Sequence, residues 1–175
     1  MDPKDLEKCE ISISAINFLF IWLSKSMSQM IKIRPHHLLD IIRDFGNEVK
    51  RETHPWGASL ASVSQSILLN INQKVEFVMG ADSICKTCSK LNGHICEARI
   101  NNELLMRDYN DRLDQALFSA LNIAPGSKLP VIEFLRIIKN NIEVLNLFNS
   151  PSNNPITRKR GTESAFEKLG VKDAL

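Results

Sequence analysis

The residues of this chain best suited to chemistry crowd into one stretch, Cys85 to Cys96, which reads Cys-Lys-Thr-Cys-Ser-Lys-Leu-Asn-Gly-His-Ile-Cys. Three of the four cysteines and one of the four histidines fall within these twelve residues. Cys85 and Cys88 are spaced C-x2-C, which brings two sulfurs to one point. Asn92-Gly93 is a strong turn signal that can fold Cys96 back towards them. A tetrahedral ion with metal–sulfur bonds of about 2.3 Å needs ligands that converge in this way. Free cysteines also pack as small hydrophobes, but Lys86, Thr87, Ser89, Lys90 and Asn92 are too polar to bury this loop. The spacing therefore points to a metal or iron–sulfur site.

A fourth ligand must come from elsewhere, and the candidates are His36, His37, Asp40, His94 and Cys9. His36 and Asp40 are four residues apart and His37 and Asp40 three, so either pair can share a helix face. One imidazole would then be the ligand, with Asp40 accepting from its other ring nitrogen. His36 and His37 rank equally, ahead of Asp40. His94 reads better as a solvated loop histidine, and Cys9 as a free thiol. Zinc would favour Cys3His and a structural role; an iron–sulfur cluster wants four protein ligands, usually thiolates. On the residues alone, zinc has the advantage.

The elements that must position these groups follow from periodicity. Ile31 to Arg34 alternates like a short strand, and Pro35 suits the first turn of a helix. Leu38, Leu39, Ile41, Ile42, Phe45 and Val49 predict an amphipathic helix over 36–52, broken by His54-Pro55-Trp56-Gly57. A second helix is predicted over 58–72 and a strand over Val75 to Met79, ending at Gly80 and delivering the chain to the cysteine loop. A long helix over 99–121 has Leu104, Leu105, Leu113, Leu117 and Leu121 as its buried stripe. Pro125-Gly126 turns the chain, and Pro130 opens a last helix to about Phe148. The expected fold class is α+β and mostly helical, with four to five helices and a short strand or two leading into the cysteine loop. The expected organisation is an N-terminal extension (1–30), a metal-binding domain (31–148) and a flexible C-terminal tail (149–175) with at most a brief helix from Ala165 to Leu169.

Composition excludes more than it assigns. Hydrophobic content of 43% and charged content of 24% in 175 residues suit one ordinary globular domain with appendages. A net charge of +2 gives no reason to expect nucleic acid as partner. The most apolar run, Ile11 to Leu23, is thirteen residues long, too short for the roughly 20 needed to span a bilayer. It follows acidic residues and lacks a small-x-small cleavage site, so it makes a poor export signal. Residues 1–29 read as an added amphipathic helix, as a weak membrane-surface segment or as translation started too far upstream, with Met27 and Met30 as alternative starts; a packed or loosely attached helix is favoured over a membrane anchor. Reduced thiolates in the cytoplasm fit the cysteine pattern. Asp108, Asp111 and Asp114, interleaved with arginines, read as a solvated helix face, and Arg158-Lys159-Arg160 as a solvated tail. There is no glycine-rich phosphate loop, nucleophile elbow or H-E-x-x-H.

Arg34-Pro35-His36-His37-Leu38-Leu39, then Asp82-Ser83-Ile84-Cys85-Lys86-Thr87-Cys88, then Gly93-His94-Ile95-Cys96, resemble a family of short bacterial and archaeal proteins of unknown function often labelled iron–sulfur binding. The resemblance spans about residues 31–145 and implies a cluster-binding role. It departs at Asp40, where the family carries a cysteine. Aspartate is a hard donor, less suited than cysteine to soft metal chemistry, so the site would be Cys3His, Cys3Asp or open at one corner. With the resemblance, an iron–sulfur cluster (4Fe–4S type) is preferred over Zn2+, in a redox, electron-transfer or sensing protein that serves a protein redox partner. A structural zinc module for protein interaction is the alternative, and catalysis at an open iron the least favoured. Nothing in the pattern specifies an oligomeric state.

Overall fold

The computed structural model describes residues 30–100, 103–148 and 154–172. The expected extension over 1–29, with Cys9, lies outside them. Strand β1 (Lys32–Ile33) runs parallel to β2 (Lys74–Phe77), and β2 pairs antiparallel with β7 (Lys128–Pro130), giving a three-stranded sheet in the order β1-β2-β7. Val75 and Phe77 alternate inwards from β2 and are fully buried, the period-2 pattern of a sheet with one wet face. Two further two-stranded ribbons are smaller: β3 (Leu91–Asn92) with β4 (Ile95–Cys96), and β5 (Arg99–Ile100) with β6 (Leu104–Leu105).

Helix α1 (Pro35–Gly46) leaves β1 with proline at its first position and buries Leu38, Leu39, Ile41 and Ile42. Helix α2 (Leu60–Leu69) covers one side with Val63 and Ile67. Helix α3 (Met106–Leu121) contributes Leu113, Leu117, Phe118 and Leu121, and helix α4 (Val131–Asn140) contributes Val131, Phe134, Leu135 and Ile138. A 3-10 helix over Ile142–Leu147 follows α4. These side chains form one hydrophobic cluster with the sheet, so the α+β, mostly helical class holds. Among the described residues, no helix is long and apolar enough to cross a membrane.

The expected elements are trimmed for local reasons. The first helix stops at Gly46 because Glu48 takes a left-handed backbone, φ 58°. The helix expected from 99 begins only at Met106, since 99–105 is spent on the β5–β6 ribbon. The helix expected over 130–148 divides at Asn140–Asn141 into α4 and the 3-10 segment.

The C-terminal segment departs from expectation. Within the tail expected to be flexible, helix α5 (Pro155–Lys168) is fully formed, capped by Asn154, whose Oδ1 accepts from the backbone N–H of Ile156 and Thr157. It lies against α1, where Gly46 meets Gly161; a Cβ on Gly46 would collide with the Gly161 carbonyl. Two glycines thus let the backbones touch, and Ala165 and Phe166 are buried in the same core. Arg158, expected in a solvated tail, is 2% exposed and stacks 3.6 Å above the Phe148 ring. The polar composition of 149–160 hides these few anchoring positions.

A candidate metal centre at the start of α1

Burial of the β1–α1 junction forces its polar groups to find partners. Arg34, 4% exposed, donates from Nε to Asp114 and from Nη2 to Asp111 on α3. His36 donates its backbone N–H to Asp114 Oδ1 at 3.0 Å, and its ring Nδ1 lies 2.8 Å from the same oxygen. His37 turns another way, because successive residues on a helix are about 100° apart. Its Nδ1 stands 2.8 Å from Asp82 Oδ2. A carboxylate can only accept, so Nδ1 carries the hydrogen and Nε2 is the ring atom left for a ligand.

Asp82 joins this junction to the cysteine loop. It accepts from the Arg34 backbone N–H at 2.9 Å and from the backbone N–H groups of Ile84 and Cys85 at 3.0 and 3.3 Å. Burial works against its charge, but the His37 ring and these donors hold its carboxyl at about 2. His37 is shifted upwards: burial opposes the imidazolium, and the Asp82 charge with its hydrogen bond outweighs it. His36 is shifted downwards by burial and by its neighbour His37. Burial and the Asp82 charge push the Cys85 thiol up to about 12, so it is neutral until a cation lowers it.

The cysteines sit on a short frame. Cys85 opens a 3-10 turn (Cys85–Thr87), Cys88 closes it by donating its N–H to the Cys85 carbonyl at 2.9 Å, and Cys96 ends β4 opposite Leu91. Gly93, at φ 60°, makes the hairpin turn between β3 and β4. The segment before α2 laces this loop down: Ser89 N–H donates to the Trp56 carbonyl, Thr87 Oγ1 to the Gly57 carbonyl, and Ser59 N–H to the Ile84 carbonyl.

Cys85, Cys88, Cys96, His37 and Asp40 line one cavity of about 220 Å³. The rest of its polar wall comes from Arg34, Arg51, His54, Arg107 and Asn110, with the Trp56 indole beside them. The three thiols and one of the two favoured histidines therefore share a space. His36 does not line it, being committed to Asp114, and His94 is exposed in the hairpin turn. Among the described residues, no three His, Cys, Asp or Glu side chains already stand at ion-holding separation.

The chain matches no family model, no curated protein and no solved structure. The resemblance carried by its Arg-Pro-His-His and Cys-x2-Cys motifs therefore rests on those residues alone.

Asp40 is placed differently from expectation. It bonds neither histidine; its Oδ1 accepts from Arg43 Nη1 at 2.9 Å and from Arg158 Nη2 at 2.8 Å. Burial opposes its charge, and Arg158 and Arg43 hold its carboxyl below the usual range. The acceptors behind the histidines are Asp114 and Asp82 instead. Asp114, expected on a solvated face, is fully buried. The spacing carried a signal: Asp114 lies three, four and seven residues before Leu117, Phe118 and Leu121, on the buried stripe itself. Asp82, three residues before Cys85, stands where an Asx turn would open the cysteine loop.

Proposed function

We propose that the protein is a cytoplasmic iron–sulfur protein with a redox, electron-transfer or sensing role. Its cluster would be held by Cys85, Cys88 and Cys96, with His37 as fourth ligand. The observation that carries this reading is the shared cavity: three thiols and a histidine whose Nδ1 is anchored to a carboxylate face the same space. A carboxylate behind a ligating histidine fixes its tautomer and raises its basicity. The donor set is soft and fits an iron–sulfur cluster or zinc. Asp40, already shared by two guanidinium groups, is not counted as a ligand. Such a cluster, when bound, would supply one-electron chemistry. The chain's own contribution is to orient His37 through Asp82 and to line the site with the guanidinium groups of Arg34, Arg51 and Arg107.

The same donors make the Cys3His set of a structural zinc site, which is the second reading. Structural zinc sites are closed and four-coordinate. The resemblance carried by the Arg-Pro-His-His and Cys-x2-Cys motifs is what ranks the cluster ahead of zinc. Protein prepared without air should be brown, with broad visible absorption that bleaches on reduction by dithionite. Colourless protein with one equivalent of zinc would favour the second reading, and protein that takes up neither metal would overturn both.

A further inference from the structure

The cysteine cavity has a second chemistry besides its thiols. Of its three arginines, Arg34 is satisfied by Asp114, Asp111 and the Gly80 carbonyl. Arg51 is not: Nη2 pairs with Asp44 and also reaches the Asp40 carbonyl, but Nε is buried and has no acceptor among the described residues. A buried donor without a partner is unfavourable, and an arriving acceptor would relieve it. Arg107, at the second position of α3, bonds only its neighbour Asp108, at 3.3 Å, among the described residues.

The first turn of α3 adds to this. Helix α3 is sixteen residues long and has no side-chain cap at its N-terminus. Its opening N–H groups are therefore not capped by a side chain, although the Met106 N–H is bonded to the Ala98 carbonyl and the Asp108 carboxylate stands in the first turn. Met106, Arg107 and Asn110 from this end line the cavity. Against these donors stands one lining carboxylate, Asp40, whose charge is already met by Arg43 and Arg158. The remaining wall is apolar, formed by Trp56, Ala58, Leu60, Ile84 and Met106.

We infer that this cavity binds a small organic oxyanion, its carboxylate or phosphate held by Arg51, Arg107 and the first turn of α3, and its apolar body beside Trp56. The inference shares its cavity with the metal reading and goes beyond it: the recognising groups are not the thiols.

The chain has two tryptophans, Trp22 and Trp56, so Trp22→Phe leaves Trp56 as the reporter of the cavity. In that background, benzoate and phenyl phosphate should each change the emission saturably, and neutral benzamide should not. Arg107→Gln, at a partly exposed side chain outside the core, should weaken both anions at least tenfold. Arg51→Gln should do the same, but Arg51 also holds Asp44, so Arg107→Gln carries the decision. No saturable response to either anion, an equal response to benzamide, or unchanged anion binding in Arg107→Gln would overturn the inference. Iron, sulfide and zinc assayed in the same samples separate the two claims. Anion binding in protein that takes no metal sinks the metal reading alone, and metal uptake without anion binding sinks this one alone.

Discussion

The α1 junction behind the cysteine cavity and the cysteine loop are two halves built on opposite principles. On the α1 side, Arg34, His36 and Asp114 are nearly sealed from solvent and tied to one another by hydrogen bonds. On the loop side, Cys85, Cys88 and Cys96 are only half-buried and are held by turns, a two-residue ribbon and a few backbone bonds. The contrast is sharpest between adjacent histidines. His36, 5% exposed at its side chain, is spent on Asp114, while His37, 21% exposed, bonds Asp82 and lines the cavity. One half is held by buried charged groups, the other by turns and backbone bonds.

Breaking the buried half should cost most. Asp114→Asn leaves the Arg34 guanidinium buried without its main counter-charge, and breaking a buried pair in this way costs about 3–5 kcal/mol. Urea denaturation of the metal-free protein should show that loss.

Acid attacks the same half. Asp82 and Asp114 both have folded-state values below their unfolded ones. Their stabilisation is therefore complete above the unfolded carboxylate value near 3.9 and is lost as pH falls through the folded values. For Asp82, at about 2, the loss between roughly pH 4 and pH 2 is on the order of 2 kcal/mol. The midpoint of thermal unfolding, measured from pH 4 down to pH 2, should fall.

The link between the halves gives the next effect. Asp82→Asn should weaken metal binding about 10–100-fold through the lost support of His37, as read by competition with a chelator. His37→Ala should lower affinity at least as far. His36→Ala should instead lower stability and leave metal affinity within a few-fold of the parent. The smallest effect is expected at the edge of the buried half: Asp111, 47% exposed at its side chain, contributes at most about 1 kcal/mol, so Asp111→Asn should shift the urea midpoint slightly or not at all.

What could be read in the sequence follows the same division. The strand at Ile33, the helices at Leu38–Ile42 and Leu113–Leu121, and the cysteine loop are short-range patterns, and each appears close to where periodicity puts it. The partners of the histidines are long-range: Asp82 and Asp114 lie 45 and 78 residues from the rings they hold, a separation no local pattern encodes. Asp40 looked like a second carboxylate behind a histidine because it shares a helix with both. It is taken instead by Arg158, 118 residues away on α5, a helix masked by the polar composition of its surroundings. The docking of α5 depends on Gly46 and Gly161, and a glycine in a sequence does not announce which backbone it will meet.

The central claim is that the three cysteines act on one shared ligand in this cavity. Elemental analysis of protein reconstituted with iron and sulfide without air, and then desalted, tests it most directly. The account predicts bound iron and sulfide in comparable amounts in the parent protein and their loss in Cys85→Ser. Protein that retains no metal, or a Cys85→Ser variant that retains as much as the parent, would contradict it.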